Sequence, residues 1–495
     1  MKLILTAEQM RLIDNFTSES IGVSSAVLME RAALACAEEI KGSGFDTSKM
    51  LIVCGTGNNG ADGLALARII NRFYKPDVYL AGTYGDLRGL VKSQYDSAAR
   101  SKVKFVTDPD FSSYTLIIDA LFGIGLSREL SGNFAKIVNA VNESDAKVIA
   151  VDMPSGVDAS SGKIMGCAVK ADITVSFAYT KLGQVLFPGA DYCGELHVRD
   201  IGIYAELCDK ANASAYTYTQ KDLALIPKRR KYSNKGSYGR VLVIAGSENM
   251  SGAALLSARA AYKSGCGLVE VFTHSASAQV VKNALPEAIV TSYSNGRVDM
   301  SALHRAISAA SAVVLGPGLS KSEDAKRIVK YTLESAQGKL IIDADALNII
   351  AENHGLLGYL KSNIVTPHLG EMARLINKEV SEIAESLVDT AREFSRTHGC
   401  ICALKDTRTV VTAPAQPVFI NTAGNSGLAK GGSGDTLTGI IASLISQGIE
   451  PSESARLGVY LHAYAGDLAA DEHGKYSMLA SDVAEAVGRI MDEMK

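Results

Sequence analysis

The stretch Asn425–Gly439 combines residues suited to binding a phosphate with one suited to acting as a base. Three glycines within Gly431–Gly434 precede an apolar, helix-like run that begins at Thr436. Glycines let the backbone approach a ligand closely, and a helix that starts beside them presents unpaired N–H groups and the positive end of its dipole. Such a turn favours phosphate. Asp435 could take a proton from a substrate hydroxyl there, although an ordinary glycine turn with an N-terminal Asp has the same residues.

A second glycine turn, Gly55–Gly60, follows a short apolar run and formally matches the dinucleotide-binding fingerprint. In that fingerprint an acid about 20 residues further on contacts the ribose. The nearest candidate, Asp77, precedes its strand instead of ending it. Asn58, Asn59 and Asp62 suit a hard cation, or a ribose and an amide, better than a plain phosphate turn. A Rossmann dehydrogenase therefore stays an open alternative at this point.

Three oxygen-bearing side chains follow neighbouring strands of the first half. Asp119 ends one apolar run, and Asp152 and Ser155 follow the next. Ligands in α/β sheets lie outside the carboxyl ends of the strands, so these residues could converge. Oxygen ligands suit Na⁺, K⁺, Mg²⁺ or Ca²⁺ better than zinc, while each residue taken singly could also cap a helix or a turn.

Polar residues also follow strands of the second half. His368 stands between a strand and a helix, a position that favours a ligand crevice over a structural role. Lys405 and Asp406 end another strand, where the lysine could reach a phosphate or simply be solvated. Asp343 and Asp345 could hold a metal or close a turn.

The elements that must position these residues are short apolar strands alternating with helices. This alternation predicts an α/β fold with mostly parallel sheets and helices on both faces. A small, polar segment near residue 212 predicts two domains, 1–211 and 212–495. The capping box Thr6–Gln9 predicts a helix start. Further helices are expected at Ala26–Ile40, Leu64–Phe73, Gly252–Ser264 and Thr436–Ser446, and strands at Met50–Cys54, Val78–Ala81, Leu116–Asp119, Val148–Val151, Ile173–Phe177, Gly239–Ser247, Gly267–Phe272, Ala312–Leu315, Lys339–Asp343, Asn363–Pro367 and Ile401–Lys405.

Composition narrows the class of protein. With 495 residues, 47% hydrophobic, and a net charge of −3, the chain indicates a globular protein with no general attraction to nucleic acid or an acidic membrane. The basic cluster Lys228–Lys231 is more typical of a solvated linker than of a nucleic-acid site. Eight scattered cysteines without a C-x-x-C pair favour a reducing compartment. No signal peptide or bilayer-length apolar run is apparent, so a cytoplasmic protein is expected.

Longer motifs carry a family resemblance. The first half resembles the YjeF N-terminal domain in GNNGADGL, DALFGIGLSREL and VDMPSGVD. The second half resembles the ribokinase-like YjeF C-terminal domain in KGSYGRVLVIAGS, GPGL, DADALN, TPHLGEMARL, LKDTRTVV and GNSGLAKGGSGDTLTG. Together the halves are similar, over nearly the whole chain, to the family of bifunctional NAD(P)H-hydrate repair enzymes, and the resemblance implies a Rossmann-like three-layer domain before a ribokinase-like one.

The resemblance implies two activities. NADH and NADPH become inactive as hydride donors when the nicotinamide ring is hydrated. The first domain would epimerise the R and S hydrates. The second would dehydrate the S hydrate at the expense of ADP, as in bacterial and archaeal members, with ATP the less expected nucleotide, to give AMP and phosphate.

The resemblance also implies which residues form each site. In the first domain Asp152 is the candidate catalytic residue, and K⁺ is held by Asn59, Asp119 and Ser155. The hydrate is contacted there by Asn58, Asn59, Gly60, Ala61, Asp62, Gly123, Ile124, Gly125, Leu126, Ser127, Arg128, Glu129 and Asp152. In the second domain Asp435 is the catalytic base. The hydrate is contacted there by Ala253, Gly318, His368 and Asp435, and the nucleotide by Lys405, Asp406, Thr407, Arg408, Thr409 and Gly434.

The implied partners are small molecules: the hydrates of NADH and NADPH, and ADP or ATP with Mg²⁺ in the second domain. A homo-oligomer is expected, with no nucleic-acid or membrane partner. The main alternative is a small-molecule kinase of ribokinase-like fold with a fused nucleotide-binding domain, which would use the same base but release a phosphorylated product. A non-catalytic first domain that senses a nucleotide is a further alternative.

Overall fold

The computed structural model describes residues 1–204, 215–336 and 338–493. The chain separates into two compact units, Leu3–Ala215 and Tyr216–Lys495 together with Met1–Lys2. The domain boundary expected near residue 212 lies outside the described residues.

The helices and strands up to residue 204 alternate along the chain, as expected. The strands are β1 (Lys2–Leu5), β2 (Met50–Cys54), β3 (Asp77–Leu80), β4 (Lys104–Val106), β5 (Leu116–Ala120), β6 (Lys147–Val151), β7 (Ile173–Phe177), β8 (Thr180–Lys181) and β9 (Glu195–Arg199). The α-helices are α1 (Ala7–Glu19), α2 (Ser25–Gly42), α3 (Asn58–Tyr74), α4 (Gly89–Arg100), α5 (Gly132–Glu143) and α6 (Leu182–Val185).

The remaining elements repeat this alternation and end in three helices. The strands are β10 (Ala215–Thr217), β11 (Arg240–Ile244), β12 (Leu268–His274), β13 (Ile289–Tyr293), β14 (Ala312–Leu315), β15 (Leu340–Ile342), β16 (Ile364–Val365), β17 (Ile401–Leu404), β18 (Val410–Thr412) and β19 (Val418–Ile420). The helices are α7 (Ser251–Lys263), α8 (Ser275–Ala284), α9 (Met300–Ala309), α10 (Glu323–Ser335), α11 (Asp345–Glu352), α12 (Leu369–Ile376), α13 (Val380–Glu385), α14 (Leu387–His398), α15 (Ser433–Ser446), α16 (Pro451–His473) and α17 (Ala480–Glu493).

The central sheet of the first unit has the order β4-β3-β2-β5-β6-β7-β9, and each neighbouring pair is parallel. Its middle strands β2, β5 and β7 are buried along their whole length, as expected of a sheet covered on both faces. The carboxyl ends of β5 and β6 lie side by side, because Asp119 pairs in register with Ala150. This register places the polar residues that follow the two strands at one edge of the sheet.

Helix α3 begins earlier than the sequence predicts. We expected a loop from residue 55 to residue 63 and a helix from Leu64, but α3 starts at Asn58, directly after the N-cap Gly57. A side-chain carbon on Gly60 would lie 1.9 Å from the carbonyl oxygen of Gly55, so the helix packs against the preceding turn at van der Waals limits. The glycines that mimic a dinucleotide loop therefore allow a close contact between helix and turn.

In the second unit β13-β12-β11-β14-β15-β16-β17 lie side by side as parallel strands, and β18 and β19 continue antiparallel. The predicted strand Ala312–Leu315 is confirmed at its exact bounds, and the others differ by a few residues at their ends. Helix α15 begins at Ser433, three residues before the predicted start. Among the described helices, none is long and apolar enough to cross a membrane.

Candidate active sites

Asp119 is the centre of a buried hydrogen-bond cluster at the ends of β5 and β6. Its carboxylate accepts hydrogen bonds from the Ser155 amide at 2.7 Å, the Ser155 hydroxyl at 2.6 Å and the Leu121 amide at 3.2 Å. Burial nevertheless raises the pKa of Asp119 to about 6, because the three neutral donors only partly replace water. The predicted convergence of Asp119 and Ser155 is therefore present, and their site suits a positive charge.

Asn59 provides a test of whether this site fits a cation. Its side-chain nitrogen is buried and has no hydrogen-bond partner within the described residues. Its side-chain oxygen faces the loop after β5, since a side-chain carbon on Gly123 would lie 3.1 Å from it. The amide of Phe122, the residue before Gly123, donates a hydrogen bond to Ser155 Oγ at 2.9 Å. Amide, carboxylate and hydroxyl oxygens are a donor set that fits a hard cation such as K⁺.

A cavity of about 650 Å³ opens beside this cluster. Its wall combines the start of α3, the loop after β5, the end of β6 and part of α1. The predicted site residues that line it are Asn58, Asn59, Asp62, Gly123, Ile124, Gly125, Leu126 and Asp152. Arg128 and Glu129 line an adjoining cavity of about 360 Å³, which shares Phe122, Leu126 and Phe134 with the first. Of the other predicted residues, Gly60 packs against Gly55, Ala61 is fully buried, and Ser127 is exposed.

Asp152 is held in a strained conformation at the end of β6. Its φ is 65°, in the left-handed region that few residues other than glycine adopt. The Gln184 side chain donates to its carbonyl oxygen at 2.7 Å, and its amide donates to the Val175 carbonyl at 2.9 Å. Backbone strain of this kind is often found at functional sites.

Lys181 is the charged partner of Asp152. It is fully buried, forms an ion pair with Asp152 Oδ1, and donates to Ser176 Oγ at 3.1 Å and to the Phe177 carbonyl at 3.0 Å. All three ammonium hydrogens thus have acceptors, which is the condition for burying a lysine. The pair places the Asp152 carboxylate at the cavity wall beside a buried positive charge.

Two further carboxylates line the same cavity. Burial, followed by the charges of Asp152 and Asp14, raises the pKa of Asp62 well above its usual range. Burial and then the charge of Asp152 also raise the pKa of Asp14. Sequence reasoning missed Asp14, Lys181 and the Gln184 that positions Asp152. Lys181 lies shortly after the predicted strand Ile173–Phe177, and this position is the one sequence signal that could have indicated a role for it.

In the second unit Asp435 lies in the first turn of α15, which begins at Ser433. The N-cap Gly432 has a φ of 93°, so the turn into the helix requires the left-handed region that favours glycine. Burial and the charge of Asp343 raise the pKa of Asp435 to about 6, against the opposite effect of Lys405. Asp435 is therefore mostly ionised at neutral pH and basic enough to accept a proton.

Lys405 and Asp343 converge on the same helix start. Lys405 Nζ lies 2.7 Å from Asp343 Oδ1, and a side-chain carbon on Gly434 would lie 3.3 Å from Lys405 Nζ and 3.4 Å from Asp343 Oδ2. Burial lowers the pKa of Lys405, but Asp343, Glu371 and Asp435 outweigh this effect and raise it. A positive charge thus lies next to the first turn of α15, where an anion would bind.

His368 starts α12 at the neighbouring strand end. Its Nδ1 accepts hydrogen bonds from the Gly370 and Glu371 amides at 3.0 and 3.3 Å, and it pairs in register with Lys405. The histidine is therefore the helix cap, with its exposed ring beside the lysine. Burial and the charge of Asp343 raise the pKa of Glu371 to about 7. Glu371 has this position because it completes the capping box of α12, a role that the sequence analysis did not identify.

The other predicted residues of this unit form two further groups. Gly318 has a φ of 57°, and a side-chain carbon on it would lie 2.8 Å from Ala253 Cβ, so the two predicted hydrate contacts adjoin. One turn further along α7, Ser257 Oγ donates to the Asp435 carbonyl at 2.9 Å. The predicted nucleotide loop Asp406–Thr409 lies between β17 and β18. Within this loop, Arg408 Nη1 donates a hydrogen bond to the Thr422 carbonyl at 3.0 Å.

His462 on α16 was missed by sequence reasoning. It is buried, and its Nε2 lies 3.3 Å from Ser433 Oγ, at the first residue of α15. Burial lowers the pKa of His462 to about 4, so the ring is neutral at physiological pH. The neutral imidazole contacts the first residue of α15 and adds no charge to the anion site.

Comparisons with known proteins match the two parts of the chain to two family models. Residues 25–183 match the family model described as YjeF-related protein N-terminus, and residues 241–489 match the one described as NAD(P)H-hydrate dehydratase. A protein of Moorella thermoacetica named bifunctional NAD(P)H-hydrate repair enzyme Nnr is 34% identical, over 99% of this chain and 97% of that protein. The chain belongs to the family of bifunctional NAD(P)H-hydrate repair enzymes.

Solved structures resemble more than half of the chain. A ribokinase-like superfamily protein from Enterococcus faecalis V583 is 30% identical, with a TM-score of 0.52, over 57% of this chain and 96% of that one. A Bacillus subtilis ADP/ATP-dependent NAD(P)H-hydrate dehydratase, crystallised with ATP and Mg²⁺, is 29% identical, with a TM-score of 0.48, over 56% of this chain and 98% of that one. Family membership confirms the resemblance seen in the motifs and the two-domain α/β fold, and it does not support the kinase alternative.

Proposed function

We propose that the chain repairs hydrated NADH and NADPH in two steps, with an epimerase in the first unit and a nucleotide-dependent dehydratase in the second. Membership of the repair family over nearly the whole chain supports both activities. The observation that carries the dehydratase is the position of Asp435, an ionised base at the glycine-rich start of α15, next to Lys405.

The dehydration follows from this arrangement. The ring hydroxyl of the hydrate is a poor leaving group, and Asp435 takes its proton as the oxygen attacks the terminal phosphoryl group of the nucleotide. Lys405 and the first amides of α15 stabilise the charge on the transferring phosphoryl group. Phosphate then leaves the ring with the C–O bonding electrons, and loss of a neighbouring ring proton restores the double bond of the dihydropyridine. ADP would become AMP, and phosphorylation of the substrate is transient.

We also propose Mg²⁺ in the dehydratase. Within the described residues there is no cluster of three His, Cys, Asp or Glu side chains arranged to hold a metal ion. Mg²⁺ is commonly bound through one or two carboxylates together with substrate phosphates, so Asp343, close to Gly434, is the residue that would share it with the nucleotide. The ion would neutralise phosphate charge.

For the epimerase we propose that the hydrate occupies the 650 Å³ cavity and that Asp152 performs acid–base work on it. Asn59, Asp119 and Ser155 would hold K⁺ beside it, which the buried Asp119 carboxylate supports, because the donors described for it are all neutral. The ion would supply positive charge to the site. Exchange of K⁺ for the larger tetramethylammonium is expected to slow epimer exchange and leave dehydration of the S hydrate unchanged; equal rates in both salts would contradict this assignment.

The decisive experiment supplies the purified protein with a mixture of R and S hydrates of NADH, and with ADP or ATP. We expect full recovery of the reduced-nicotinamide absorbance, faster with ADP, with one free phosphate for each NADH formed. Recovery limited to the S fraction would contradict the epimerase. Accumulation of a phosphorylated ring product would indicate the kinase alternative instead.

We propose a cytoplasmic protein, because the seven free cysteines of the described residues suit a reducing compartment. We propose a homo-oligomer on the basis of the family resemblance, and light scattering of the purified protein would test it.

A further inference from the structure

The cavity of the first unit brings together more ionisable groups than one acid–base residue requires. Its wall carries Arg11 and Asp14 from α1, Asp62 from α3, Asp152 from the end of β6 and Lys181 from β8. These are all the Asp, Glu, Lys, Arg and His residues that line it among the described residues. Their interactions differ sharply, and the difference separates two of the carboxylates by function.

Asp152 has partners that fix the direction of its carboxylate. Its backbone is held by Gln184 and Val175, and its carboxylate pairs with the buried Lys181 and accepts a hydrogen bond from the Phe177 amide at 3.3 Å. The ion pair with Lys181 and the hydrogen bond from the Phe177 amide both stabilise a negative charge on the carboxylate. The carboxylate can therefore accept a proton from a ligand in the cavity.

Asp62 has the opposite surroundings. Within the described part of the chain no hydrogen bond or ion pair reaches its carboxylate. The residue is half-buried and lies near the start of α3, which begins at Asn58. Arg11 is directed elsewhere, since its Nη2 donates to the Ile124 carbonyl at 2.8 Å. Burial and the charges of Asp152 and Asp14 raise the pKa of Asp62, so its surroundings favour the protonated form that an acid needs. Two carboxyl groups whose surroundings favour different protonation states are a common basis for divided acid and base work.

Inversion of the hydrate needs such a division. Its hydroxyl group stands on the ring carbon next to nitrogen, so protonation of that oxygen lets it leave as water while the nitrogen lone pair forms a planar iminium. Water then adds to the other face of the same carbon and loses a proton. One proton is given and one is taken, so the composition of the hydrate is unchanged, and exchange with solvent resets the two carboxyl groups.

We propose that Asp62 protonates the departing hydroxyl of the hydrate and that Asp152 takes the proton from the water added to the opposite face, with Lys181 as the residue that positions Asp152. This assignment rests on the proposed epimerase function and adds a second catalytic residue to it. Asp14 lines the same cavity and its pKa is also raised, so the experiment separates its contribution from that of Asp62.

The test compares Asp62→Asn with Asp14→Asn and with Asp108→Asn, an exposed carboxylate of the same unit outside the cavity. Exchange of R and S hydrates is measured on the full chain without nucleotide, in H₂¹⁸O. We expect Asp62→Asn to lower kcat by roughly 100-fold or more with KM within about threefold, since general acid catalysis contributes this much. Asp14→Asn should lower kcat by less than about tenfold, and Asp108→Asn should match the wild type. Each inversion by the wild type should add one solvent oxygen to the hydrate.

Several results would overturn the assignment. A kcat of Asp62→Asn within about tenfold of the wild type, or an equal loss in Asp14→Asn, would remove Asp62 as the acid. Inverted product without solvent oxygen would exclude water loss, and this measurement needs no variant to fold. Urea unfolding followed by circular dichroism reports whether the first unit of each variant is folded, because dehydration of the S hydrate uses the second unit only. A wild-type protein without any epimer exchange would overturn the proposed epimerase itself, whereas the other results concern Asp62 alone.

Discussion

Lys405 Nζ lies 2.7 Å from Asp343 Oδ1, and both groups border the backbone of Gly434 at the start of α15. The ion pair holds the lysine beside the amides that would receive a phosphate. The same aspartate raises the pKa of Asp435, so one carboxylate both positions the cation and makes the base stronger. Asp343 thus affects both the position of Lys405 at the phosphate site and the pKa of Asp435.

Asp435→Asn tests the base directly. We expect nucleotide-dependent dehydration to fall by roughly 100-fold or more, because the amide cannot accept the hydroxyl proton. Epimer exchange should be unchanged, since it belongs to the other unit. The control Asp471→Asn removes an exposed carboxylate of the same unit and should leave both rates unchanged. Near-normal dehydration in Asp435→Asn would exclude the carboxylate as base.

The pH dependence of dehydration should report the same group. A base with a pKa of about 6 is protonated as pH falls through that value, so kcat/KM should drop about tenfold per pH unit at lower pH. Asp343→Asn should move this acid limb to lower pH, because a charge that raises the Asp435 pKa is lost. A limb that moves to higher pH, or is the same in Asp435→Asn and wild type, would contradict the assignment.

Gly432→Ala should destabilise the second unit. Its φ of 93° lies in the left-handed region, and the added carbon would lie 2.5 Å from Leu256 Cδ1. We expect the free energy of unfolding to fall by about 1–3 kcal/mol, measured by urea unfolding with circular dichroism. Gly358→Ala is the control, because nothing lies within 4 Å of the added carbon there. Equal effects of the two substitutions would show that the turn into α15 is not constrained.

Lys181→Met should destabilise the first unit by about 3–5 kcal/mol, because it leaves the charge of Asp152 buried and unpaired. The double variant with Asp152→Asn should recover part of that loss, since no lone charge is left. Urea unfolding of the two single variants and the double variant gives the coupling energy of the pair. Strictly additive effects would mean that the ion pair contributes nothing of its own.

Much of the fold follows from the local pattern of the sequence. The strands β2 and β7 have their predicted bounds, because a short apolar run between polar residues is sufficient to define a buried strand. The capping box is confirmed at Thr6, whose hydroxyl accepts the Gln9 amide while the Gln9 side chain accepts the Thr6 amide. Polar residues after strands were good candidates for the sites because parallel strands bring their carboxyl ends together.

What the sequence did not reveal depends on contacts between distant residues. Asp14 and Lys181 are separated by most of the first unit, and only folding places both on the wall of one cavity. His462 reaches Ser433 from a different helix, so no local pattern marks it. The early start of α3 was missed because glycine and asparagine disfavour helices, whereas packing against the Gly55 turn overrides that preference.

The left-handed backbone of Asp152 restricts which substitutions this position can accept. Asn and Asp enter this region more readily than other residues with a side-chain carbon, so Asn is the replacement that removes the charge with little change in backbone preference. Ala or Glu would combine a chemical change with a conformational one. Natural variation at this position should therefore be narrow, and a library of variants should recover folded proteins mainly with Asp, Asn or Gly.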